Sequence, residues 1–155
     1  MTCWGQDTLS VDYSHYNETS ISLGYNYSFA DPNDRNFHLI ETRFQKQKFG
    51  GRHPAFTTLS AGIDIGLNTN DFVIGPRVGG IIGFGGFFIG TDLAYYTDLK
   101  NGTLRLIPSL GFGYHQFRLS INPHIRLINK DFEPIDRGHV NLTIKAFKLK
   151  RKRLD

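Results

Sequence analysis

The stretch 19–29, TSISLGYNYSF, alternates without a break. Ile21, Leu23, Tyr25, Tyr27 and Phe29 are apolar or aromatic, and Ser20, Ser22, Gly24, Asn26 and Ser28 between them are small and polar. Successive side chains of a strand point to opposite faces, so this segment has one apolar face and one polar face. Water-facing strands usually carry Lys, Glu and Thr. Small residues instead place the polar face in a confined space and leave the apolar face to open surroundings. That is the pattern of a strand in a closed barrel surrounded by lipid, and most of the chain repeats it.

A chain of 155 residues is one domain by length. No run approaches the roughly 18 uncharged apolar residues of a membrane helix. The least charged region, VGGIIGFGGFFIG at 78–90, carries too many glycines for a helix. A barrel passes under such a test, because only alternate residues need be apolar. The single cysteine, Cys3, excludes an internal disulfide and a zinc-type cluster, so no metal and no cofactor are expected. The net charge of +4 is modest and its basic residues form no aromatic-interleaved patch, which argues against nucleic acid. Residues 1–6, MTCWGQ, lack the regions of a secretory leader. Residues 1–18 are therefore read as a lead-in whose Cys3 is a signal remnant or a lipidation site.

Eight strands are expected, at 19–29, 37–49, 56–67, 72–82, 87–96, 103–114, 117–128 and 139–147. Turn-rich connections separate them at 30–36 (ADPNDRN), 50–54, 68–71 (NTND), 83–86 (GFGG), 98–102 (DLKNG), 115–116 and 129–138. In the second strand, a basic residue at the midplane of a bilayer would cost about 2–4 kcal/mol. Glu41 and Arg43 therefore go inward and Ile40, Thr42 and Phe44 outward. Pro76 counts against a perfectly regular fourth strand. The Asn101-Gly102 pair is a strong turn signal. Even strand number and short connections make an antiparallel up-and-down transmembrane β-barrel over 19–147, followed by a basic C-terminal tail, 148–155.

Aromatic residues collect at the strand ends. Tyr27, Phe29, Phe37, Phe72 and Tyr95 are assigned to one rim, and Phe44, Phe56, Phe84, Phe87, Phe112, Tyr114 and Phe147 to the other. Through this pattern the chain resembles the small eight-stranded outer-membrane barrels of Gram-negative bacteria, in the style of the OmpX and OmpA membrane domains. The resemblance covers 19–147 and lies in pattern, without a signature motif. It implies an outer-membrane location with lipid as the surroundings. Barrels of this kind usually end on an aromatic residue; Phe147 takes that place, but KLKRKRLD runs on beyond it.

The inward parity carries the charge: Glu41, Asp64 and Asp92 against Arg43, Arg77, Arg105, Arg118, Arg126 and Lys145. An eight-stranded barrel has room only for its own side chains, so a salt-bridge plug is favoured over an ion path. The surplus of bases leaves room for an anion near Arg118 or Arg126. His115 and Ser120 fall on opposite parities, His38 lies on the lipid side without a serine partner, and no acyl-enzyme motif is visible. The glycine clusters at 83–86 and 111–113 precede no helix and so are not phosphate loops. The triplets at Asn17, Asn101 and Asn141 have no meaning for a bacterial barrel. Lys148, Lys150, Arg151, Lys152 and Arg153 are read as a solvated tail or a contact for lipid headgroups or a partner protein of the outer membrane or periplasm. These readings converge on a non-enzymatic accessory subunit of an outer-membrane complex. Its rivals are a lipid-modifying barrel enzyme and a soluble lipocalin-like carrier, which would place the apolar parity inside.

Overall fold

The structure is a computed structural model and describes residues 14–29, 36–50, 55–69, 71–114, 116–129, 132, 135 and 137–154. The strands are β1 (His15–Phe29), β2 (His38–Gly50), β3 (Ala55–Gly66), β4 (Ile74–Phe84), β5 (Phe87–Thr97), β6 (Gly102–Gly113), β7 (Phe117–Pro123), β8 (Ile125–Ile128) and β9 (Gly138–Leu154). Neighbours are antiparallel throughout, and β9 pairs with β1. Segments β7 and β8 both pair with β6 and together form one wall strand, so the barrel has eight strands. Closure is traceable residue by residue. Starting at His15, the ladder runs through Gly50, Ala55, Phe84, Phe87, Phe112, Leu119 and Leu142, and returns to β1 at Tyr25. The return lies 25 − 15 = 10 residues up the strand. A stagger of this kind accompanies a strand tilt of roughly 35–45°.

The seventh expected strand, 117–128, is interrupted at His124. The register sets Pro108 of β6 opposite Pro123, with Leu110 facing Ile121 on one side and Leu106 facing Ile125 on the other. Neither proline has an N–H to donate, so the ladder opens between them. Pro76 acts in the same way. Pairing of β4 with β5 skips from Ile74↔Thr97 to Arg77↔Ala94.

The C-terminal stretch is also corrected. Residues 148–154, read as a tail outside the barrel, continue β9 and pair with β1 from Ser20 down to His15. Two register shifts, which skip Ala146 and Leu149, accommodate this extension. Residue 18, assigned to the lead-in, accordingly lies within β1.

The strand ends joined by the β1–β2, β3–β4, β5–β6 and β8–β9 connections share one end of the barrel, here the loop end. The 50–54, Gly85-Gly86 and 114–116 connections share the other, the turn end, with both termini of the described chain. Residues 30–35 and 51–54 lie outside the described residues. Gly85 and Gly86 have φ of 60° and 90°, the two positive values that a two-residue hairpin turn of the primed type requires.

The Asn101-Gly102 turn signal stands at the next hairpin, as expected, but the left-handed residue is neither of the pair. Positive φ falls on Leu99 (72°), while Asp98 accepts hydrogen bonds from the backbone N–H of Lys100 (2.9 Å) and Asn101 (2.6 Å). A leucine in that conformation costs roughly 1–2 kcal/mol. Leu99→Gly should therefore raise the unfolding free energy by up to about 1 kcal/mol, read as a higher denaturant midpoint, the gain being limited because glycine also loses more freedom on folding. The bonds from Asn101 and Lys100 hold the Asp98 carboxyl below its usual pKa. Its contribution is present above the ordinary aspartate value of about 3.9 and is lost as pH falls through the lower folded value. Asp98→Asn should flatten the acid dependence of unfolding below about pH 4, measured against the parent chain.

Candidate functional site

Parity decides what each strand turns inward, and the result is three layers inside the wall. At the loop end Leu39, Val73, Ala94, Tyr96, Ile107, Phe132 and Ile135 form a buried apolar cluster. Val73, Phe132 and Ile135 come from the connections, which fold over the mouth. At the turn end Phe49, Phe56 and Phe88 are buried, with Tyr16, Ile81 and Tyr114 packed against them. Phe56 meets Tyr114 edge-on at 5.6 Å, and Tyr16 stacks on Phe49 at 5.7 Å. Between these caps lies the charge.

Arg77 is the hub of the central layer. It donates to Glu41 Oε2 and Asp64 Oδ2, both at 3.0 Å, and to Asp92 Oδ2. Arg43 donates to Glu41 Oε2 (2.9 Å) and to both oxygens of Asp92 (3.1 Å each). Tyr96 donates to Asp64 Oδ2 at 2.6 Å, and Asn141 and Asn26 are bonded to each other beside Glu41. In a low-dielectric interior such charges are tolerable only when paired and hydrogen-bonded.

Space for these side chains comes from inward glycines on adjacent strands. A Cβ on Gly24 would stand 2.9 Å from Glu41 Oε1, and one on Gly62 would stand 2.8 Å from Arg43 Cγ. On Gly79 it would collide with Asp92, and on Gly75 with Tyr96. The small residues of the alternating pattern are therefore counterparts of the large charged ones across the ladder.

Of the candidate residues, Glu41, Arg43, Asp64, Arg77 and Asp92 come together as one network. The others do not join it. Arg105 donates from Nη2 to the carbonyls of Ile135 (2.8 Å) and Phe132 (3.3 Å) and contacts His124 Nδ1 at 3.0 Å, so it ties the loop-end cap to the wall. Arg126 is half-buried directly opposite Arg105 on β8. Lys145 pairs with Glu18 near the turn end. Arg118 is buried beside the network without an ion pair among the described residues. Arg151 lies over the rings of Tyr16 (4.1 Å) and Phe49 (5.0 Å), while Lys148, Lys150, Lys152 and Arg153 are exposed.

Tyr96, Asn26, Asn141, His124 and His139 were absent from the candidate set, although each stands on the inward parity of its strand. His124 Nε2 lies 2.7 Å from His139 Nδ1, with the Tyr96 ring stacked on His124. Glu18 lies in the four residues by which β1 extends beyond the expected start at 19.

On the outside, every strand presents apolar side chains. Tyr25, Phe44, Leu59, Val78, Ile89, Leu110, Ile121, Ile125 and Ile144 are all exposed. The expected rims need correction. Phe37 and Phe56 are buried, and Tyr114 turns inward after Gly113, whose φ of 133° redirects the chain. Phe44 is exposed but sits midway along β2, opposite Ile21. Tyr27, Phe72 and Tyr95 remain exposed at the loop end, and Phe84, Phe87 and Phe112 at the turn end, while Phe147, like Phe44, is exposed opposite Ile21 away from the strand end. His38 does have a polar partner, the Tyr25 hydroxyl, with the Tyr27 ring edge-on at 5.4 Å. His115 lies outside the described residues; Ser120 faces the interior.

Comparison with protein-family models, with curated proteins and with solved structures finds no match.

Proposed function

We propose that this chain is an integral outer-membrane barrel with a plugged interior, serving as an accessory subunit of a membrane complex rather than as a channel or an enzyme. The observation that carries this reading is the inverted polarity. Charged and amide side chains fill the inside, while large apolar side chains cover the outside of every strand. A soluble protein rarely exposes a contiguous apolar patch beyond a few hundred Å², and lipid is the medium such a surface fits. The two apolar caps and the ion pairs between them oppose conduction. A lipocalin-like carrier would need an apolar interior with room for a ligand, whereas among the described residues the middle of the lumen is filled by ion-paired side chains.

The subunit role rests on the basic end of β9. Lys148, Lys150, Lys152 and Arg153 are exposed on an ordered strand, so their charge is presented at fixed spacing. Each basic residue near an anionic surface gains on the order of 1 kcal/mol. Truncation after Phe147 would remove the pairing with β1 and is not a clean test. Replacing Lys148, Lys150 and Lys152 with Gln should instead leave the folded, heat-modifiable band unchanged while abolishing copurification of partners in mild detergent. A parent chain that purifies alone would refute the subunit role, and lipid analysis of cells would then test the enzyme alternative.

Membrane insertion and orientation have their own test. In a Cys3→Ser background, Lys100→Cys at the loop end should react with an impermeant thiol reagent on intact cells, and His15→Cys should not. The opposite labelling would reverse the orientation, and recovery of the chain in the soluble fraction would refute the membrane reading.

A further inference from the structure

We infer that the barrel interior holds one small monovalent anion of the halide class, chloride under ordinary conditions, against Arg118. The inference does not depend on the medium around the barrel.

Arg118 is only 5% exposed, and its Nη1 has no hydrogen-bond partner. The other buried guanidiniums are all engaged: Arg43 and Arg77 by carboxylates, Arg105 by backbone carbonyls. A buried, unpaired guanidinium is among the least tolerable groups in a protein interior. Arg118 also lines an internal cavity of about 10 Å³ together with Ser109, Ser120 and Asn122, whose hydroxyls and amide can donate. Asp92 borders the same space, but both of its oxygens are taken by Arg43 and Arg77.

The charge balance points the same way. Among the described residues the interior holds four carboxylates (Glu18, Glu41, Asp64 and Asp92), four buried guanidiniums (Arg43, Arg77, Arg105 and Arg118), and the half-buried Lys145 ammonium and Arg126 guanidinium. With the histidines counted as neutral, positive charge is in excess. A monovalent anion at Arg118 reduces it where a fully buried cation has no carboxylate. The cavity admits about one solvent-sized body, which excludes sulfate, phosphate and carboxylate ligands.

The test uses the purified full chain, unfolded and then refolded in sodium chloride or sodium gluconate at equal ionic strength. The unfolding midpoint of the parent chain should rise with the logarithm of chloride concentration, and the midpoint of Arg118→Met should be flat. A parent chain insensitive to chloride overturns the inference whether or not the variant folds. Crystals of the parent chain refolded in sodium bromide should show an anomalous peak in contact with the Arg118 guanidinium. An ordered water there, with no anomalous signal, also overturns it.

Discussion

Arg77→Met is expected to destabilise the barrel by about 3–5 kcal/mol, the cost of leaving buried partners of an ion pair uncompensated. Arg77 alone touches all three carboxylates of the central layer, Glu41, Asp64 and Asp92. Its removal leaves Asp64 with no cationic partner among the described residues and only the Tyr96 hydroxyl donating to it, whereas Glu41 and Asp92 keep Arg43. Asp64→Asn should cost less, because Arg77 retains two carboxylates and the amide keeps most of the shape. The two variants together make the prediction specific. Denaturant unfolding, read by far-ultraviolet circular dichroism and by the folded band on a gel, measures both. Equal and small effects, under about 1 kcal/mol, would mean that the ion pairs contribute little to holding the wall.

Gly79→Val should be harsher in outcome, preventing recovery of the folded band. A Cβ at this position runs into Asp92 and into the Thr91 backbone carbonyl, neither of which can yield easily. Asp92 is held by Arg43 and Arg77, so displacing it would disturb the hub as well. Overpacking by itself costs about 1–3 kcal/mol, and the disturbed ion pairs add to that. The neighbouring glycine supplies the control. Gly80 faces outward, and its Cβ would approach only Leu59 Cδ2 and the Thr58 carbonyl, each at 3.3 Å. Gly80→Ala should fold with a change under about 1 kcal/mol. If both substitutions were equally tolerated, the inward glycines would not be the sockets of the charged side chains.

Alternation by two was sufficient to read the wall. Because each strand side chain is committed to one face, Glu41, Arg43, Asp64, Arg77 and Asp92 are legible as interior residues from the sequence. The same rule, applied to Phe56, already assigned it to the interior. Placing it on a rim because of its aromatic character was an error of preference over parity. Tyr114 was different: its reversal follows a positive φ at Gly113, a backbone event that leaves no trace in a pattern of apolar and polar residues.

Sequence alone therefore determined the eight strands, the inward and outward faces and the location of the charge, since these depend on local periodicity. Only the tertiary structure decided who pairs with whom. Stagger carries each residue up the wall from one strand to the next, so Arg77 reaches Glu41, thirty-six residues away, while Arg118 is left beside a cavity. It also decided that 148–154 is wall rather than tail, because that segment gains its order from the β1 ladder and its own composition resembles a solvated run. Closure of the loop end by Phe132 and Ile135 was equally out of reach, since a connection has no periodicity to reveal which of its residues turn inward.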